Sequence, residues 1–184
     1  TFRPQPKALL PPSPDAKQNM ATEGHDLSAY SAEQLSGCAG FRIGLAVSKW
    51  NTEITHALRD GALEVLHAAG VADILTHEVP GSFELPLACQ WLLKHGGCDA
   101  VIAIGNVIRG ETAHFDFVCQ SAATGILRAG MDADRPAVFC VLTDDNIEQS
   151  RARSGGKHGN KGTEAAVAAL EMAKLRSGLN AQHW

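Results

Sequence analysis

The residues best suited to chemistry cluster between Gly105 and Val118, where Arg109, Gly110, Glu111, Thr112 and His114 follow one another closely. Gly110, Glu111 and Thr112 stand just before a predicted helix. The first N–H groups of a helix have no internal partner, and the helix dipole there favours an anion, so a phosphate suits this place. A solvated loop is the plain alternative. His114 falls in the first turn of the same helix, where the dipole disfavours imidazolium and keeps the ring close to neutral. A histidine beside an anion site can move protons, whereas a lone histidine more often serves structure. A second cationic stretch lies downstream. Arg153 and Lys161 flank the glycine-rich segment Ser154–Asn160, and an arginine can grip a phosphate with two parallel hydrogen bonds. Trp50 can stack on a planar ring or plug a helix–sheet seam. Ser82 and Glu84, after Pro80-Gly81, can bind a polyol, although Glu84 can equally complement a helix dipole. Phe139 reads as core.

These residues need elements to hold them. Short, continuously apolar runs at Ile43–Val47, Ile74–Val79, Ala100–Ile104 and Ala137–Leu142 predict four strands. Helical spacing predicts helices over Thr52–Ala69, Phe83–His95, Phe115–Ala129, Ile147–Arg153 and Lys161–Leu175. Gly70 closes the first of these, and Asn160 caps the last. Gly105 closes the third strand, and Ser154–Gly159 reads as a loop. Strands that are apolar throughout imply burial on both faces, hence a four-stranded parallel sheet covered by helices on both faces. That is a three-layer, flavodoxin-like α/β domain. Ligands of such sheets bind beyond the carboxyl ends of the strands. All four candidate clusters stand there: Ser48–Asn51, Pro80–Glu84, Gly105–His114 and Thr143–Asn146.

Composition narrows the class. A chain of 184 residues with 45% hydrophobic residues holds one ordinary core. Its net charge of −4 and dispersed basic residues argue against a nucleic-acid surface. No apolar run approaches the roughly 20 residues of a membrane span. Five cysteines without a C-x-x-C pair read as reduced thiols, with Cys89, Cys98, Cys119 and Cys140 as small core residues. No secretory leader is visible, so the expected location is cytoplasmic. Residues 1–40 read as an N-terminal extension, disordered over the proline-rich residues 1–19, with a short helix or arm at Leu27–Leu35. Residues 41–184 form the domain.

Three stretches in order carry a resemblance: Pro80-Gly-Ser-Phe-Glu-Leu-Pro86, Ala103 through Asp116 with its Gly-Asn-Val-Ile-Arg-Gly-Glu-Thr-Ala-His core, and Arg153 through Ala166. Together they resemble the lumazine synthase family over about Phe41–Leu175. The resemblance implies condensation of 5-amino-6-ribitylaminouracil with 3,4-dihydroxy-2-butanone 4-phosphate, with no metal and no organic cofactor. It implies that Trp50 stacks on the pyrimidine, where most relatives carry Phe. Ser82, Phe83 and Glu84 would hold the ribityl chain and ring edge, and Asn106, Val107 and Ile108 would line the pyrimidine site. Glu111 and Thr112 would bind phosphate, with Arg153 closing on it and Lys161 adding charge. His114 would shuttle protons, and Phe139 would come from a neighbouring subunit. Arg109 receives no role. The family implies a homopentamer, a 60-subunit shell in many members, and association with riboflavin synthase. The compact Ser154–Asn160 segment leans toward the shell. Two other readings compete: a binder that sequesters a lumazine or flavin, and a signalling domain with an acidic phospho-acceptor pocket at the strand ends.

Overall fold

The computed structural model describes residues 30–181. The proline-rich residues 1–19 and the first part of the 27–35 segment lie outside the described residues. The elements run α1 (Ala32–Leu35), β1 (Arg42–Ser48), α2 (Thr52–Ala68), β2 (Asp73–Val79), α3 (Leu85–Lys94), β3 (Ala100–Ile108), α4 (His114–Ala133), β4 (Ala137–Asp144), α5 (Ile147–Arg153), β5 (Ser154–Gly156), β6 (Gly159–Asn160) and α6 (Lys161–Ala181). The first four long strands form one parallel sheet in the order β2-β1-β3-β4. The expected three-layer α/β fold is therefore present.

The pleat of β3 explains the layers. Ala100, Ile102 and Ile104 pack with Leu58, Val65, Leu66 and Leu170 of α2 and α6, whereas Val101 and Ala103 pack with Leu85, Leu92, Ala122 and Ile126 of α3 and α4. A strand sandwiched this way has no polar face, which is why β1 and β3 read as unbroken apolar runs. The outer strands depart from that expectation. Thr76, His77 and Glu78 of β2 are exposed, and Phe139 of β4 is 42% exposed rather than core. Both strands lie at sheet edges, where only one side is covered by this chain.

Several boundaries also differ from the sequence reading. β3 does not stop at Gly105 but continues to Ile108, pairing Gly105 with Val141 and Ile108 with Asp144. Gly105 is there for space: a β-carbon would lie 2.6 Å from Ser82 Oγ and 2.9 Å from Leu85 Cδ1. Helix α4 runs to Ala133, past Gly125, whose missing β-carbon admits Pro86 of α3. Helix α6 extends to Ala181, with no Pro before its end. The Ser154–Gly159 segment is a small antiparallel hairpin rather than an open loop. Asn160 caps α6 as expected, its Oδ1 accepting from Gly162 N at 2.8 Å, and its Nδ2 donates to Ala57 O at 2.9 Å. The small face of α6 is spent inside the chain, where Ala165, Ala166 and Ala169 are buried.

Cys38, Cys89, Cys98 and Cys140 are buried, but Cys119 is only partly so, although it lies on the same stripe of α4 as the buried Phe115, Ala122 and Ile126. Burial pushes the thiols of Cys89 and Cys140 up to about 12 and that of Cys98 to about 11. At pH 8 a thiol with a pKa near 12 is ionised to only about one part in ten thousand, and the thiolate is the reactive form. Iodoacetamide at pH 8 is expected to leave Cys89, Cys98 and Cys140 unmodified in the native protein and to label them in urea. Peptide mass mapping checks this, and native labelling of Cys140 at the rate of the unfolded chain would contradict it.

Candidate active site

Because the sheet is parallel, the four strand ends meet along one edge. After β1, Ser48 Oγ accepts from Trp50 N at 3.3 Å and Lys49 N donates to Val79 O at 3.0 Å. Asn51 then takes a left-handed conformation, φ 55°, before α2 begins. This kink turns Trp50 outward, leaving it 70% exposed, so it is not a seam plug. Its indole lies over Gly81: a β-carbon there would lie 3.3 Å from Trp50 Cδ1. After β2, Ser82 is buried over Gly105 and its Oγ has no hydrogen-bond partner among the described residues, while Phe83 is 60% exposed. A buried hydroxyl without a partner costs free energy unless something else supplies a hydrogen bond, so a polar ligand suits this spot. Glu84 occupies the N-cap position of α3 but makes no capping bond, which leaves its carboxylate to the cleft.

These groups line a cleft of about 460 Å³ together with Asn106, Val107, Ile108 and His114. Eight of the residues singled out in the sequence are thus brought together: Trp50, Ser82, Phe83, Glu84, Asn106, Val107, Ile108 and His114. Asn51 also lines it and carried no assignment from sequence. Its one signal was an Asn, tolerant of the left-handed region, between a strand and a helix.

Glu111 and Thr112 stand exposed in the turn before α4 and line no part of this cleft. Thr112 Oγ1 accepts from His114 N at 3.4 Å. The N–H groups of Glu111, Thr112 and Ala113 have no acceptor among the described residues, as an anion site requires. Arg109 acquires a definite place. Its Nε donates to Asp145 Oδ1 at 3.0 Å, its Nη1 reaches Asp116 Oδ1 at 3.2 Å, and the guanidinium stacks 4.1 Å from the Phe115 ring centroid. The hydrogen bond to Asp145 leads in raising the arginine's pKa further. Arg109 therefore ties the turn carrying Glu111 and Thr112 to both α4 and the β4–α5 connection.

Phe139, Arg153 and Lys161 are elsewhere. They line a second groove of about 800 Å³ along the free edge of β4, between α5 and α6. Within this chain Arg153 Nη1 donates to Gln149 O at 3.1 Å, and Lys161 Nζ pairs with both carboxylate oxygens of Glu164 at 2.8 Å. Arg151 holds Glu53 through two bonds of 2.8 and 3.0 Å, fastening α5 to the start of α2. An acidic phospho-acceptor pocket does not form. Asp144 is buried against Ser150, Asp145 is paired with Arg109, and β1 ends on Ser48.

Comparison with known proteins identifies the family. The family model described as 6,7-dimethyl-8-ribityllumazine synthase matches residues 40–177. The chain belongs to that family. The lumazine synthase of Christiangramia forsetii is 53% identical over 160 residues, 85% of this chain and 95% of the relative. That of Flavobacterium johnsoniae is 48% identical, covering 89% and 87% of the two chains. That of Porphyromonas gingivalis is 48% identical, covering 85% and 98%. As a lumazine synthase the chain is a transferase of riboflavin biosynthesis. No described helix is long and apolar enough to cross a membrane.

Proposed function

We propose that the condensation of 5-amino-6-ribitylaminouracil with 3,4-dihydroxy-2-butanone 4-phosphate takes place in the Trp50 cleft, and that a neighbouring copy of the chain completes it. The observation that carries this reading is the division of the site residues between two hollows. The cleft has an aromatic face in Trp50, polyol partners in Ser82 and Glu84, and a histidine at its mouth, but no cation to grip a phosphate. The groove on β4 has Arg153, Lys161 and the exposed Phe139, but no histidine and no stacking platform as exposed as Trp50. A head-to-tail contact that sets one against the other makes a heterologous interface, and such an interface builds a ring when its rotation closes.

In this reading the pyrimidine stacks on Trp50 against the β3 end at Asn106, Val107 and Ile108, while Ser82, Phe83 and Glu84 hold the ribityl chain. Glu111 and Thr112 offer backbone N–H groups to the phosphate, and Arg153 and Lys161 of the neighbour supply positive charge. Phe139 of the neighbour closes the hollow. The pyrimidine amine condenses with the ketone and water is lost. Phosphate then leaves, the resulting enol becomes a ketone, and the ribityl-bearing nitrogen adds to it with loss of a second water to close the ring. Each step moves a proton, and His114 stands where it can accept and return one. No step needs a protein nucleophile. Holding two substrates in register supplies the rest, up to several kcal/mol of barrier in favourable cases.

Supplying the protein with both substrates is expected to give the fluorescent lumazine and stoichiometric phosphate. Silence where a homologue works would favour a binder that only sequesters the ligand. Arg153→Ala is expected to raise KM for the phosphate substrate about tenfold or more, the loss of a charge-assisted hydrogen bond, with little change for the pyrimidine. Unchanged affinity for the phosphate substrate would remove Arg153 from that role. The ring is a homopentamer near 98 kDa, and a 60-subunit shell is near 1.2 MDa, so light scattering separates them. A cytoplasmic location, association with riboflavin synthase, and an N-terminal extension over residues 1–40 ahead of a domain at 41–184 complete the proposal.

A further inference from the structure

A chain of buried hydrogen bonds runs behind the cleft and has no part in the roles above. Ser150 Oγ donates to Asp144 Oδ2 at 2.7 Å, Asn106 Nδ2 donates to Ser150 Oγ at 2.9 Å, and Asn51 Nδ2 donates to Asn106 Oδ1 at 2.8 Å. Ser150 is fully buried, Asn106 is 2% exposed and Asp144 is 7% exposed. The chain joins the ends of β1, β3 and β4 to α5. Its direction follows from donor and acceptor capacity. A carboxylate only accepts, so the single proton of Ser150 goes to Asp144 and the hydroxyl oxygen accepts from its other neighbour. That neighbour must present N–H, which turns the Asn106 amide with nitrogen toward Ser150 and oxygen toward Asn51. Asn51 must then donate, and its Oδ1 becomes the free end, with no partner among the described residues. Asn51 is the one member of the chain besides Asn106 that lines the cleft, and its left-handed backbone holds it there. Buried amides otherwise have no preferred hand, because oxygen and nitrogen fill nearly the same space.

We infer that Asp144 and Ser150 are positioning residues for pyrimidine binding: they set the hand of the chain so that Asn51 presents a carbonyl oxygen, and not an N–H, to an N–H or O–H donor of the ribitylaminouracil. The inference rests on the placement of that substrate in the Trp50 cleft. It also makes the Asn106 side chain the link between Ser150 and Asn51, with one Nδ2 proton and Oδ1 engaged within the protein.

The test uses Asp144→Asn, which keeps the shape of the side chain but can donate as well as accept, and Ser150→Ala, which cuts the chain. Binding of 5-amino-6-ribitylaminouracil to the full-length protein is measured by calorimetry, and KM for each substrate is measured in turnover. Both variants are expected to raise the Kd for the pyrimidine about three- to tenfold, the effect of one lost hydrogen bond, and to leave KM for the butanone phosphate within about twofold. If Asp144→Asn binds the pyrimidine as wild type does while Trp50→Ala binds it weakly, the inference is overturned and the cleft stands. A rise in KM for the phosphate substrate alone also overturns it, since the chain would then serve only to hold α5 and Arg153. If Trp50→Ala binds the pyrimidine normally, the cleft assignment itself fails, and this inference with it.

Discussion

Replacement of His114 by alanine is expected to lower kcat by about ten- to a thousand-fold while the fold and both KM values stay close to wild type. The side chain stands at the mouth of the cleft, on the first residue of α4, and is exposed. Its ring makes no hydrogen bond among the described residues, so removing it leaves no buried polar group unsatisfied. The loss therefore falls on proton transfer and not on packing. Thermal unfolding of the variant is expected to match wild type, which separates a chemical defect from a structural one. Added imidazole is expected to restore part of the rate. Turnover at the wild-type rate would take His114 out of the mechanism.

The largest expected loss of stability comes from a position with no chemical role. A β-carbon on Gly162 would lie 1.8 Å from the carbonyl oxygen of Leu58 and 2.6 Å from its carbonyl carbon. Leu58 is in the middle of α2, so the obstacle is backbone and cannot rotate away. Helices α2 and α6 would have to part. Parting would strain the Asn160 bond to Ala57 O and the Thr163 Oγ1 bond to Gly61 O at 3.3 Å. Gly162→Ala is therefore expected to cost about 3 kcal/mol or more, the upper end for overpacking, and to lower Tm by about 6–12 °C for a chain of this size. A melting curve within a degree of wild type would contradict the close crossing of these helices.

Much of the fold is legible in the order of the residues alone. The runs Ile43–Val47 and Ala100–Ile104 are apolar on every residue because both faces are covered, and that alone names a parallel sheet. A parallel sheet then collects Trp50, Ser82, Asn106 and the residues near His114 at one edge without further information. Other features depend on neighbours that no local pattern reveals. Gly105 looks like a stop, but it is a gap under Ser82 and Leu85, visible only once β3 and α3 are packed. Phe139 reads as core because a strand phenylalanine usually is, whereas here it stands on an uncovered edge. Trp50 faces outward because Asn51 turns the chain, a choice set by backbone conformation and not by hydropathy. The pairing of Asn51, Asn106, Ser150 and Asp144 joins residues up to 99 positions apart in the chain, and nothing in their spacing announces it. The division of the cations from the histidine is likewise invisible in the sequence, since both stretches look equally suited to a phosphate.

That division is the central claim, and subunit complementation tests it most directly. His114→Ala and Arg153→Ala chains, each weakly active alone, are co-assembled in equal amounts and assayed well below saturation with the phosphate substrate. If each site draws His114 from one copy and Arg153 from its neighbour, about one quarter of the sites in a random ring are intact, and activity rises to about a quarter of wild type. If both residues served a site within one chain, every site would carry a defect. The mixture would then show only the average of the two parents.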